Sequence, residues 1–316
     1  MRNSDLKSAI RNWIMMAFFQ YLIIKAFSLF VNLLPEGSAS RLGRRMGRIA
    51  YTLDRGHRKT AIENLDLAFG REKSKEEIRT LARKTFENLG MTAVEFFRIP
   101  KTDIEAFKAR LSVEGLENIR KVLDNQKKGI LLLLSHFGNW ELMGLIPKAF
   151  HLSISVIARP IKNNRWLDRM VSEIREGAGL EVIPAAKASR RVLQALAQNR
   201  MVGILTDQRA KRSEGILVDF FGKRAPTTPA LAVLAMRTGA PIVPIFMVRD
   251  GAQKHRLVIR EPLQLMNTGD VKKDVEFNTR LVNQTLEEMI RRYPDQWFWV
   301  HRRWERKRRG RRRSVE

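Results

Sequence analysis

The chain has no cysteine, only three tyrosines and five histidines, and few acids for its size: 33 aspartates and glutamates against 59 lysines and arginines in 316 residues. Without thiols there can be no disulfide, thiolate metal site, Cys-x-x-Cys redox centre or cysteine acyl-enzyme. Serine nucleophiles fare little better, because no Gly-x-Ser-x-Gly elbow is present. His-Glu-x-x-His and Gly-x-x-x-x-Gly-Lys are also missing, which argues against a zinc-peptidase helix and a phosphate-binding P-loop. The shortage of acids leaves a formal net charge of +26. That charge attracts polyanions: nucleic acid, anionic lipid, phosphorylated substrates or an acidic protein. With 44% apolar and 29% charged residues, the chain is neither a disordered polymer nor a polytopic membrane protein. Its length suits one large domain or two small ones.

The longest apolar run is Trp13–Leu34, about 22 residues and therefore ~33 Å as a helix. It is too long for a signal peptide and lacks a small-residue cleavage site. Tyr21, Lys25, Ser28 and Asn32 interrupt it at i, i+4, i+7 and i+11, one helical face. Two placements remain open, a membrane anchor packed on its own domain or a helix lying in the interface. Arg41, Arg44, Arg45, Arg48, Arg55, Arg58 and Lys59 follow it, so by the positive-inside rule the bulk of the chain is expected in the cytoplasm. Leu42, Met46, Ile49 and Leu53 form the apolar side of a second, arginine-rich helix. The expected organisation is an anchor over 1–34, a domain over 35–305 and a basic tail over 306–316 that docks on anionic headgroups.

Residues 57–99 read as helices, and thereafter short apolar runs alternate with helical stretches. Strands are expected at Gly129–Leu134, Ile154–Ala158, Glu181–Pro184, Val202–Thr206, Ile242–Val248 and Leu257–Arg260. Helices are expected near 139–149, 164–178, 187–199, 228–238 and 275–292. This alternation implies an α/β fold with a mostly parallel central sheet flanked by helices. Ligands in such sheets gather at the carboxyl ends of the strands.

At the end of the first long strand stands Ser135-His136-Phe137-Gly138-Asn139-Trp140-Glu141. His136 leaves the sheet edge where a site residue belongs, Gly138 permits a tight turn and Asn139 can cap the following helix. A strand–turn–helix corner can bring Glu141 to His136, so that the carboxylate fixes the ring tautomer and the other nitrogen serves as general base. Ser135 is directly adjacent to His136, which is awkward for a nucleophile–base pair. Attack by a substrate hydroxyl deprotonated by His136 is simpler, and it demands no metal and no cofactor.

The run LLLLSHFGNWELMG resembles the late acyltransferases of lipid A biosynthesis, the lauroyl and myristoyl transferases of Gram-negative bacteria within the glycerolipid acyltransferase superfamily. The N-terminal apolar helix, the His-x-x-x-x-Glu motif, the block TDQRAKRSEGILVDFFGKRAPTTPALAVLAMRTGAPIVP and the closing PDQWFWVHRRWERK follow in the family's order. The resemblance implies transfer of a fatty acyl chain from acyl carrier protein, or from coenzyme A, to a hydroxyl of a phosphorylated lipid. It implies His136 and Glu141 as catalytic residues and Arg159 as a basic acceptor-binding residue. Asp207, Gln208 and Arg209 match a block near the catalytic centre, with Asp207 orienting His136 or substrate and Arg209 binding phosphate. Phe221 and Gly222 would line an acyl channel, and Thr227 or Thr228 would cap the next helix. Arg165, Arg169 and Arg175, taken singly, read as solvated charge, and Trp297, Trp299 and Trp304 as packing aromatics. Other acceptors, such as a glycolipid, a lysophospholipid or a mannosylated phosphoinositide, fit the same chemistry. A nucleic-acid-binding protein is the rival from another class, but no standard recognition signature accompanies the charge.

Overall fold

The computed structural model describes residues 3–125 and 128–305. Four helices come first: α1 (Asn3–Leu33), α2 (Glu36–Leu53), α3 (Arg55–Phe69) and α4 (Lys75–Arg98). Next are α5 (Ile104–Lys108), β1 (Leu111–Glu114) and α6 (Leu116–Asn125). The alternating part runs β2 (Ile130–Leu134), α7 (Ile146–Phe150), β3 (Ile154–Ala158), α8 (Arg165–Gly177), β4 (Glu181–Pro184), α9 (Ala188–Ala197) and β5 (Met201–Leu205). A hairpin of β6 (Ile216–Phe220) and β7 (Lys223–Thr227) precedes α10 (Ala230–Thr238), β8 (Ile242–Arg249), β9 (His255–Ile259) and α11 (Val271–Arg292).

The main sheet has seven strands in the order β1-β9-β8-β2-β5-β3-β4, parallel except for the antiparallel β8/β9 pair. Every residue of β2 and of β8 is buried, as continuous apolar runs require when helices cover both faces. Leu131 and Leu133 enter the core on one face, Leu132 and Leu134 the core on the other. The expected α/β class and mostly parallel sheet are therefore present. β1, at the edge of the main sheet, and the separate two-stranded β6/β7 hairpin were not anticipated; short half-polar strands carry little apolar signal.

The helical expectation near 139–149 needs correction. Residues 142–145 form a 3-10 turn and only Ile146–Phe150 is α-helical. Asn139 nevertheless caps this turn, its Oδ1 accepting from the Leu142 N–H at 3.2 Å. In α2 the expected apolar side divides: Leu42 and Met46 are partly buried against the α1/α4 core, and small residues supply the rest of the packed face. Ala39, Ser40, Gly43 and Gly47 are buried, whereas Ile49 and Leu53 are exposed. A Cβ on Gly47 would stand 2.1 Å from the Phe86 carbonyl oxygen, so small residues set the close crossing of α2 with α4. The tail over 306–316 lies outside the described residues.

His255 opens β9 at 5% exposure. Burial first, then the nearby Arg249 and Arg110 charges, push its pKa from 6.5 down to about 3. An unfolded chain takes up this proton below the ordinary histidine value, while the folded chain refuses it until far lower pH. Stability should consequently decline as pH falls through that window. The expected result is a Tm that drops between about pH 6 and 4, with a visibly shallower slope in His255→Gln. An identical slope in the variant would assign the acid sensitivity elsewhere.

Candidate active site

β2 and β5 are parallel neighbours with Leu134 opposite Leu205. Two residues beyond each partner lie His136 and Asp207, so the sheet register alone brings them to one level at the carboxyl edge. The Asp207 Oδ1 accepts from His136 Nδ1 at 2.9 Å. Its Oδ2 accepts the His136 backbone N–H at 3.0 Å and the Trp297 indole N–H at 2.8 Å. Asp207 is 1% exposed. These bonds fix both the carboxylate and the imidazole tautomer, leaving Nε2 toward the cleft.

The loop after β2 is clamped on both sides. Phe298 N–H donates to the His136 carbonyl at 3.0 Å, Gly138 N–H to the Gln296 carbonyl at 2.8 Å, and Asn139 N–H to the Met247 carbonyl at 3.0 Å. Gly138 has φ +58°, and a Cβ there would sit 1.8 Å from the Met247 oxygen, so no other residue fits this turn. Trp140 and Phe298 flank the imidazole at ring-centroid distances of 5.3 and 5.5 Å.

Burial opposes the imidazolium, but the Asp207 charge and hydrogen bond outweigh it. Glu141 adds to the effect and Arg175 subtracts, leaving the His136 pKa above the ordinary histidine value. Burial likewise acts to raise Asp207, yet the His136 charge and the three hydrogen bonds hold it below the usual carboxylate range.

The expected His136–Glu141 hydrogen bond is replaced by the one to Asp207, and the reason is geometric. The turn directs Glu141 toward α8, where Arg175 grips it with Nη2–Oε1 at 2.7 Å and Nε–Oε2 at 3.2 Å. Glu141 stays near enough for its charge to reach His136, and the Trp140 indole N–H donates to it at 3.2 Å. Arg175, read from the sequence as solvated, is a cleft residue.

A cleft of about 480 Å³ opens beside the imidazole, a size typical of small-molecule sites. Its polar lining includes His136, Glu141, Arg159, Arg175, Gln208 and Arg209, with Glu214 and Thr228. Its apolar lining includes Leu132, Leu134, Met143, Ile154, Val156 and Ile245, on one face of the sheet. The Gln208 amide nitrogen stands 3.4 Å from His136 Nε2, a long contact that an incoming hydroxyl can replace. Arg159 is exposed and 3.7 Å from Glu214. Arg209 is positioned through its backbone, its N–H donating to His301 Nε2 at 3.1 Å; burial lowers the His301 pKa and favours the neutral acceptor ring.

Phe221 and Gly222 are not in the cleft. They form the left-handed β6/β7 turn with φ of 53° and 65°. Phe221 packs on Phe69 and Trp299, so the expected channel role is withdrawn. Thr227 is fully buried and accepts from Arg303 Nη2 at 2.6 Å, a structural part rather than a cap. Thr228 stands one residue before the α10 N-cap, Pro229, where its Oγ1 accepts from Ala230 N–H at 3.4 Å, and it lines the cleft. Trp297 and His301 were not singled out for these roles; as residues 90 and 92 positions from their partners, they gave no local signal. Among the described residues no cluster of histidines and carboxylates is suited to a metal ion.

Comparison with known proteins identifies the family. The family model described as bacterial lipid A biosynthesis acyltransferase matches residues 8–306. The lipid A biosynthesis lauroyltransferase of Escherichia coli is 28% identical over 85% of this chain and 86% of its own length. The palmitoleoyltransferase of the same organism is 26% identical over the same shares of both chains. A phosphatidylinositol mannoside acyltransferase of Mycolicibacterium smegmatis is 28% identical over 66% of this chain and 67% of its own length. With the match spanning nearly its whole length, this chain belongs to the bacterial lipid A biosynthesis acyltransferase family.

Proposed function

We propose that the protein works at the cytoplasmic face of the inner membrane. There it moves a fatty acyl group from acyl carrier protein to a hydroxyl of a phosphorylated lipid A precursor. The observation that carries this reading is the placement of one imidazole, tautomer fixed by a buried carboxylate, at the junction of a basic cleft mouth and an apolar interior. His136 Nε2 takes the proton from the acceptor hydroxyl as its oxygen attacks the thioester carbonyl. Asp207 stabilises the resulting imidazolium. The proton then passes from His136 to the departing thiolate, and the ester is released. Arg175, held by Glu141, is the fixed positive charge beside the developing oxyanion. Arg159 and Arg209 meet acceptor phosphate, and the basic surface favours an acidic carrier protein.

Lipid mass spectrometry of cells with and without the protein, paired with a purified acyl-carrier-protein transfer assay, tests the assignment. An unchanged lipid A acyl pattern and no transfer in vitro would contradict it. The mycobacterial relative favours a second reading, acylation of a mannosylated phosphoinositide, which the same assay separates by acceptor.

Chain length should be set inside the cleft. Gly144 lines it, and a Cβ there would meet Leu180 Cδ1 at 3.4 Å. Gly144→Leu is expected to cut transfer of longer acyl chains about tenfold relative to shorter ones, in the range a few methylenes control. Equal loss for all chain lengths would place the acyl group elsewhere.

A further inference from the structure

We propose that α1 lies in the plane of the membrane interface, its outer apolar arc sunk into one leaflet of an anionic bilayer and its N-terminus on the same side as the α/β domain. The inference rests on the membrane-associated reading above and adds orientation. It resolves the choice between a spanning and an interfacial helix.

Length alone favours neither placement, since residues 12–33 are long and apolar enough to cross. The domain contacts decide. Asn164 Nδ2 donates to the Ala17 carbonyl at 2.9 Å, and Trp166 packs on Phe18 at 5.3 Å between centroids. Toward the other end, Phe97 packs on Phe27 at 5.9 Å, Asn32 Nδ2 donates to the Phe97 carbonyl at 2.8 Å, and Arg98 Nη1 donates to the Leu34 carbonyl at 2.8 Å. From residue 17 to 32 the domain thus follows the helix for about 22 Å, most of the thickness of a hydrocarbon core.

What stands along that contact is charged. The Arg169–Glu173 pair is 82% and 60% exposed, and Arg169 is within electrostatic reach of Tyr21, at the middle of the apolar segment. Lys25 lies 5.6 Å from the Tyr21 ring, and Arg165 stacks on Trp166 at 4.7 Å. A spanning α1 would carry these groups into hydrocarbon. Laid flat, the helix leaves them at headgroup level.

The sides of the helix agree. Ala17, Ser28 and Val31 are buried on the domain. On the opposite arc Met15, Phe19, Leu22, Leu29, Phe30 and Leu33 are exposed, and polar Tyr21, Lys25 and Asn32 fall nearer the domain side. Lys25 and Arg165 flank the helix, and the chain carries a net charge of +26, which selects an anionic bilayer as occupant.

The absence of native cysteine makes the test clean. Met15→Cys, Leu22→Cys and Leu29→Cys, all on the outer arc, are spin-labelled in the full chain and bound to phosphatidylethanolamine–phosphatidylglycerol vesicles. Collision with oxygen and with a water-soluble nickel complex then reports depth. All three labels are expected at one shallow depth. A Leu22 label about 10 Å deeper than the other two, the spacing of seven helical residues, would overturn the flat placement and leave membrane association intact. Three labels in water would overturn both, and mutual spin broadening at all three would mean that a second copy covers the arc instead. In parallel, Ser4→Cys should react with an impermeant maleimide in inverted membrane vesicles and be protected in intact spheroplasts. The reverse pattern overturns the proposal.

Discussion

His136→Ala should lower kcat/KM for acyl transfer by a factor of about 10²–10⁴, the span attributable to a positioned general base. The effect should appear in kcat, because the imidazole's proton transfer is made in the transition state and contributes little to ground-state binding. The ring also partners a buried carboxylate, so the substitution leaves Asp207 with only the backbone His136 and Trp297 donors. A lowered Tm is expected alongside the kinetic loss. His136→Gln, which keeps a polar group in that space, separates the two: activity should stay low while part of the stability returns. Transfer within a few-fold of wild type in either folded variant would remove the imidazole from the reaction.

Asp207→Asn should be nearly as damaging, about 10³ in kcat/KM. Replacing a buried carboxylate by an amide withdraws the charge that stabilises the imidazolium and permits the wrong ring tautomer. The three hydrogen bonds to Asp207 come from donors; an amide oxygen can satisfy some of them, so the fold should persist. Glu141→Gln should act differently. It loosens the two-point grip on Arg175 without touching Nδ1, and the loss should follow Arg175→Gln closely. Double-mutant analysis of Glu141 and Arg175 should therefore be strongly non-additive. Full additivity would mean that the ion pair is incidental.

These two carboxylates show how far the sequence carried. The apolar run Ile130–Leu134 and its exit at His136 were legible because a strand buried on both faces is a continuous hydrophobic word. β3 and β4 match their expected limits because glycine and proline mark their ends: Pro160 follows β3, Gly179 precedes β4 and Pro184 closes it. The nearest acid in sequence, Glu141, looked like the partner of His136. The actual hydrogen-bonding acid is 71 residues away and becomes adjacent only through the β2/β5 register. Pairing across a parallel sheet leaves no spacing rule in the chain, so the sequence left Asp207 with two alternatives, His136 or substrate. Trp297 and His301 are further cases, supplied by a closing segment that folds back beneath the site. Phe221 and Gly222 went the other way. Their aromatic–glycine pair marked a hairpin turn, and positive φ rather than ligand contact explains the glycine.

The pH dependence of kcat/KM addresses the dyad most directly. The raised His136 pKa means that the ring is protonated, and unable to accept the hydroxyl proton, up to a pH above 6.5. Activity should rise with pH through an acid limb above that value. In Asp207→Asn the carboxylate no longer opposes burial, so the residual activity should show the limb displaced to lower pH. A limb in the same place in both proteins, or a rate independent of pH across this range, would contradict a base tuned by Asp207.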